Sequence, residues 1–303
     1  MVAVAATIAV AVPATPVAAA GSRWAEQRAE SIYRTDPDWS PDGKQIAFVD
    51  HRAATGGDLW VMNADGTGLR QLTHSQPPPA TNFGARQPSW SPDGRTIAFG
   101  YGYKGISLIG ADGANLRPLV RGVSFAAAWS PRGRKIAYAA GGELNGLSID
   151  VVSPDGSHRQ MVARRPCCNY SYNGPTWSPD GERMAFTVGP APDSENPGTY
   201  LGLIDRFRGP VSRYASGRYP IDSDWSADGR RIVFSDFSRG FAGNGASPRI
   251  VVLTLKTQSM RSLGIGWHPR WSPDGSQIAL SRGGRIWVMR ANGSNAHALT
   301  PTG

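Results

Sequence analysis

Lysine is scarce and cysteine nearly absent in this 303-residue chain. Arginine supplies 28 of the 32 basic residues and lysine four. The two cysteines, Cys167 and Cys168, are adjacent. Neighbouring cysteines cannot staple distant elements, and a bond between them closes a strained ring, so a disulfide framework is excluded. Three states stay open: a vicinal disulfide, a reduced pair, or a bridge between chains. Histidine occurs five times, at positions 51, 74, 158, 268 and 297, without metal-ligand spacing. No G-x-S-x-G elbow, H-E-x-x-H helix or phosphate-binding loop is present. These absences point away from an enzyme and imply no metal and no cofactor.

After position 20 there is no apolar run of eighteen residues, so no internal membrane span is expected. Residues 1–20 differ from the rest. They are uncharged, rich in Ala and Val, and end in Ala18-Ala19-Ala20, which fits a small-x-small cleavage rule. A basic n-region is missing, since the first positive residue is Arg23. We read this segment as an export signal, which places the mature chain in the periplasm, the cell envelope or the medium. The formal charge of +9 survives its removal. That charge fits an anionic partner such as an acidic glycan, an envelope polymer or lipid headgroups, or else the arginine bias of a GC-rich genome. The arginines lack the dense clustering of a nucleic-acid site, and no nucleic-acid partner is expected.

One phrase recurs six times. Trp-Ser-Pro-Asp-Gly followed by a short apolar run starts at Trp39, Trp90, Trp129, Trp177, Trp225 and Trp271, with Arg132 in place of Asp in the third copy and Ala227 in place of Pro in the fifth. The spacings of 51, 39, 48, 48 and 46 residues suit four-stranded propeller blades. In the first copy Pro37–Ser40 reads as an extended segment and Pro41-Asp42-Gly43 as a turn in which Pro presets φ, Asp caps amides and Gly accepts positive φ. Ile46–Val49 and Asp58–Met62 read as strands, Asn63–Gly66 as a second tight turn, and Arg70–Thr73 as a fourth strand. The sequence thus predicts an all-β, six-bladed propeller of four-stranded antiparallel blades over residues 37–303, after the signal at 1–20 and a lead-in at 21–36. The repeated tryptophans should fill the space between blades.

The phrases P-x-W-S-P-D-G-x-x-I-A-F and I/L-W-V-M-N-A-D-G-x-x-x-R-x-L-T resemble the TolB-type propeller, a WD-like repeat family of bacterial envelope proteins, over about residues 37–300. That family carries an α/β domain before its propeller, against the short lead-in here, so roles that depend on that domain are not expected. The repeat is also similar to the propeller that gates some serine peptidases, but no catalytic domain is read after Gly303. The resemblance implies strands A to D running from the channel outward. The S-P-D-G turns then lie on one face and the longer B–C and D–A connections on the other.

That second face is expected to bind. It gathers Arg52, Arg86, Arg218 and Arg239 with the aromatics Tyr170, Tyr172, Tyr219, Phe241 and Trp267, which read as loop residues, and with His268. Arginine and large aromatics are the side chains that dominate binding surfaces, although tolerated insertions give the same composition. The acid pairs Asp36/Asp38 and Asp222/Asp224 read as caps and turn formers, because neither continues into a calcium loop. The expectation is a monomeric binding or scaffold protein that engages a protein or an anionic polymer of the envelope. The alternative is a polysaccharide lyase or hydrolase, for which His51, His268 and Asp222/Asp224 are dispersed candidates.

Overall fold

The computed structural model describes residues 33–51, 56–74, 84–101, 104–141, 148–164, 170–190, 198–207, 209–238 and 247–301, with the side chains of 164–173 and 190 left out. Six blades follow one another. Blade 1 is β1 (Tyr33–Trp39), β2 (Gln45–His51), β3 (Asp58–Asn63) and β4 (Arg70–Gln71). Blade 2 is β5 (Ala85–Trp90), β6 (Thr96–Tyr101), β7 (Ile106–Gly110) and β8 (Arg117–Val120). Blade 3 is β9 (Ser124–Trp129), β10 (Ile136–Ala140), β11 (Ser148–Val152) and β12 (Gln160–Arg164). Blade 4 is β13 (Tyr170–Trp177), β14 (Arg183–Pro190), β15 (Tyr200–Asp205) and β16 (Ser212–Tyr214). Blade 5 is β17 (Pro220–Trp225), β18 (Arg231–Asp236), β19 (Arg249–Thr254) and β20 (Met260–Ile265). Blade 6 is β21 (Trp267–Trp271), β22 (Gln277–Arg282), β23 (Arg285–Arg290) and β24 (His297–Ala298). Each sheet is antiparallel and takes its four strands in chain order. The inner strands meet in the sequence β1, β5, β9, β13, β17, β21 and back to β1, which encloses a central channel.

The S-P-D-G turn satisfies itself. Ser40 Oγ donates to Asp42 Oδ1 at 2.6 Å, the Lys44 amide donates to the same oxygen, and the Gln45 amide donates to Ser40 Oγ. The pattern repeats at Ser91, Ser178, Ser226 and Ser272. Gly43 holds φ at 70°, a region closed to most side chains, which is why glycine ends the turn. Arg132 removes the acceptor in blade 3, yet Ser130 Oγ still receives the Lys135 amide.

Six apolar clusters lie in the six spaces between neighbouring blades, and the repeated tryptophan anchors each space. Trp177 packs with Ala137, Ile149 and Val151 of blade 3 and with Met184 and Phe186 of its own blade. Its indole N–H donates to Ala128 O across the interface at 3.0 Å, and Phe207 meets its ring edge-on. Arginine fills in around these cores. Arg183 lies over Trp225 and Arg231 over Trp271, each reaching into the next blade. On the rim, Arg70, Arg117 and Arg261 donate to the backbone oxygens of Ala111, Pro154 and Asn292, again one blade ahead.

Closure needs no shared strand. The Arg34 amide donates to Gly284 O, its guanidinium donates to Pro301 O and pairs with Asp50, and the Trp39 indole donates to Arg270 O.

The inner strands run longer than the repeated phrase implies, which corrects three readings. Tyr170, Tyr172 and Trp267 belong to β13 and β21 rather than to loops. Only Gly266 separates β20 from β21, so the D–A connection between blades 5 and 6 is short rather than long. The first strand takes in residues 33–36. The reason is a bulge shared by all six inner strands, which lets pairing resume upstream of the phrase.

Truncating an interlocked aromatic leaves a cavity in two blades at once. Trp177→Ala is expected to cost about 3–5 kcal/mol in urea unfolding, with the ring unfolding in one transition. A loss under about 1 kcal/mol would contradict the interlock.

Candidate functional site

The bulge places one residue of each inner strand on the channel axis. Three positions before each tryptophan stand Asp36, Gln87, Ala126, Gly174, Asp222 and His268, all with φ between 45° and 58°. Five of the six are not glycine, and a left-handed backbone at such residues is uncommon.

Four of these side chains come from four consecutive blades, and one bond among them crosses the channel. His268 Nε2 of blade 6 lies 3.3 Å from Asp36 Oδ1 of blade 1 and 3.3 Å from Asp222 Oδ2 of blade 5. Gln87 of blade 2 donates to Asp222 Oδ1 at 3.1 Å, and its amide donates to Asp36 Oδ2 at 3.4 Å. Asp36 and Asp222 are buried, at 7% and 6% exposure. Ala126 and Gly174 bring no polar group to the same ring, so its chemistry sits on blades 5, 6, 1 and 2. Burial pushes the Asp36 carboxyl up, but His268, His51, the Gln87 amide and Arg270 outweigh it and hold the group below the usual carboxylate range.

A second ring lies one position before the tryptophans: Asp38, Ser89, Ala128, Thr176, Asp224 and Arg270. Its side chains tie blades together. Asp38 accepts the Trp90 amide at 2.9 Å, Ser89 the Trp129 amide at 3.0 Å, and Asp224 the Trp271 amide at 2.7 Å. The acid pairs are therefore not caps or turn formers. They sit inside β1 and β17 because alternate positions on either side of the bulge both face inward.

The enzyme candidates expected to be dispersed are in fact close. His51 ends β2, stacks on Tyr33 at 4.4 Å and meets Thr35 Oγ1 at 2.9 Å, beside Asp36. Burial pushes its imidazole down, Asp36 pulls it back and Arg86 adds to the fall. Of the expected binding residues, Arg86 and Trp267 occupy equivalent positions next to the axial ring, Arg86 exposed and Trp267 half-buried against Phe237. Arg218 and Tyr219 lie in the connection before β17, with Arg218 paired to Asp236 at 3.3 Å. Arg52, Arg239 and Phe241 lie outside the described residues, as do Cys167 and Cys168. Tyr170 and Tyr172 are placed by backbone alone. Among the described residues no group of three His, Cys, Asp or Glu is arranged to hold a metal ion.

What sequence reasoning missed is the match between repeats. Aligned on their tryptophans, blades 5 and 1 read Asp-x-Asp-Trp while blade 6 between them reads His-x-Arg-Trp. Acid over acid beside base over base was the available signal.

The same fold recurs in known proteins. TolB from Acinetobacter baumannii superposes with a TM-score of 0.62 at 19% identity, covering 88% of this chain and 62% of that one. The fold is that of the TolB propeller. An oligogalacturonate lyase solved in complex with manganese superposes at 0.54 with 12% identity, over 82% of this chain and 86% of that one. In sequence, 63 residues are 40% identical to an uncharacterized peptidase, YuxL of Bacillus subtilis (strain 168), covering 21% of this chain and 9% of that protein. A further 94 residues are 39% identical to Tol-Pal system protein TolB of Gluconobacter oxydans (strain 621H), covering 27% of this chain and 19% of that protein. The chain thus matches under a fifth of the length of either curated relative. No family model matches. TolB propellers and lyase propellers both stand among the structural neighbours. No helix among the described residues is long and apolar enough to cross a membrane.

Removing His268 would leave two buried carboxylates facing each other. His268→Ala is expected to cost about 2–4 kcal/mol in chemical unfolding, while Gln87→Ala costs about 1 kcal/mol. Equal small effects for both would mean that the axial network carries little of the ring's stability.

Proposed function

We propose that this TolB-like propeller is an exported, monomeric and non-enzymatic binding or scaffold protein of the cell envelope, and that it engages a protein or an anionic envelope polymer through the face opposite the S-P-D-G turns. The observation that carries this reading is the contrast between the two faces. On the S-P-D-G face the serine and aspartate are committed to their own turn in five of the six copies. On the other, Arg86 is exposed and Trp267 half-buried at the channel mouth, with Arg218 and Tyr219 in the connection before β17. Loops and rims held by a rigid scaffold are where partners are met. The partial similarity to a Tol-Pal system protein of Gluconobacter oxydans supports an envelope setting.

One observation favours a second reading. Asp36, His268 and Asp222 converge on the channel, and a lyase propeller is a structural neighbour. In this reading His268 would exchange a proton with a polysaccharide substrate. A cleavage screen over acidic glycans, with His268→Ala as the inactive control, separates the two: cleavage by the wild type alone would overturn the binding reading.

For the binding reading, a pull-down from envelope extract supplies the partner. Arg86→Ala or Trp267→Ala should then weaken affinity by about 1–2 kcal/mol, while Lys44→Ala or Arg95→Ala on the turn face changes it by less than about 0.5 kcal/mol. If the partner is an anionic polymer, affinity should also fall steeply with added salt. The reverse pattern would move the site to the turn face. The export proposal predicts a mature chain that begins at or near Gly21, read by N-terminal sequencing from the host. Abundant cytosolic protein that retains Met1 would count against it.

A further inference from the structure

The axial charges form two stacked layers, and the layers are balanced differently. In the upper layer His268 stands between Asp36 and Asp222: hydrogen bonds reach Asp36 Oδ2 and Asp222 Oδ1, and His268 Nε2 lies 3.3 Å from each of the other two oxygens. In the lower layer Arg270 of blade 6 stands between Asp38 of blade 1 and Asp224 of blade 5. Here the cation is engaged elsewhere, because Arg270 Nη1 donates to the backbone oxygens of Asp222 at 3.1 Å and Pro269 at 2.9 Å. The two carboxylates instead hold the amides of Trp90 and Trp271, with the Thr176 hydroxyl 3.4 Å from Asp224. Two half-buried acids therefore share the field of one arginine at the seam where blade 6 meets both neighbours.

We propose that the Asp38–Arg270–Asp224 layer is a proton-operated clasp. With one carboxylate protonated it holds the inner strands of blades 5, 6 and 1 together. With both ionised, like charges flank a single arginine that is engaged elsewhere, and the seam loosens together with the mouth above it, since Trp267 and His268 share β21 with Arg270.

The electrostatics agree in sign. Burial pushes Asp38 up to about 7, Arg270 and the Trp90 amide pull it down, and Asp224 pushes it up again. Asp224 is raised too, first by burial, against Arg270, the amides of Trp271 and Trp225, and Thr176. A carboxyl that ionises at 3.8 in the unfolded chain and at about 7 in the folded one binds more protons when folded. Stability from this group therefore falls as pH rises across that window. Asp36, two residues away, shifts the other way, so its contribution is lost only in acid. The two layers work at opposite ends of the pH scale.

The test uses the full chain between pH 5 and 9. The wild-type melting temperature should fall through a step that runs up from pH 5 and levels off near pH 7, and Asp38→Asn should remove that step. Asparagine keeps an acceptor for the Trp90 amide but cannot ionise. Asp42→Asn, in a turn on the opposite face, should keep the step. Amide exchange, corrected for its intrinsic pH dependence, should rise at pH 8 in β21 of the wild type and not in β9. Parallel melting profiles for wild type and Asp38→Asn, or exchange rising evenly around the ring, would overturn the clasp. Should Asp38→Asn fail to fold, the carboxyl carbon of Asp38 in labelled wild type decides: titration near pH 7 supports the proposal, and titration below about pH 5 rejects it.

Discussion

Everything at the centre of this molecule follows from one backbone constraint: a residue forced into left-handed φ three positions before each tryptophan. Without the bulge, an inner strand would alternate its side chains between the channel and the sheet interior with period two. The bulge interrupts that alternation and holds the left-handed residue where Asp36, Gln87, Asp222 and His268 meet across the channel. It also lengthens each inner strand beyond the sequence phrase and sets the tryptophan where it can wedge into the preceding blade. A local cost of order 1–3 kcal/mol at a non-glycine left-handed residue is retained five times over, which is the pattern expected where geometry matters.

Arginine has a second role beside charge. A chain with 28 arginines and a formal charge of +9 invites a search for anionic partners, yet many of the guanidinium groups are occupied inside the ring. Arg183 and Arg231 cover tryptophans of the next blade, Arg70, Arg117 and Arg261 hold neighbouring turns, and Arg34 fastens the ends. Arginine suits these positions because its planar head both stacks on rings and forks toward carbonyl oxygens, which an ammonium cannot do. The cations left to meet a partner are fewer than composition implies, and Arg86 at the mouth is one that remains exposed.

The architecture was legible because each blade repeats the same solution to the same problem. Pro-Asp-Gly demands a turn, Ile-Ala-Phe demands burial, and a tryptophan at regular intervals demands a large neighbouring surface. Six repetitions turn these weak local signals into one global answer. The axial site was not legible by the same route, because its chemistry is what differs between repeats. Asp36 and Asp222 lie far apart in sequence and look like turn residues when each is read in its own segment. They acquire meaning only when neighbouring repeats are laid side by side and position is compared with position. His268 was singled out as a binding residue for its place near loop aromatics, whereas its partners turn out to be the two acid pairs. Trp267, Tyr170 and Tyr172 were read as loop residues because the phrase that defines a blade begins downstream of the bulge.

Each sheet takes its strands consecutively, so among the described residues the first and last blades meet through side chains and carbonyls rather than through a strand lent from one to the other. This makes the blade a modular unit. A whole repeat inserted or deleted at the junction would leave every sheet intact, and the change would fall on the wedge angle between blades and on the letters presented to the axis. An architecture closed in this way lets its centre be rewritten one repeat at a time, with acid, base or nothing at each position, while the walls keep their shape.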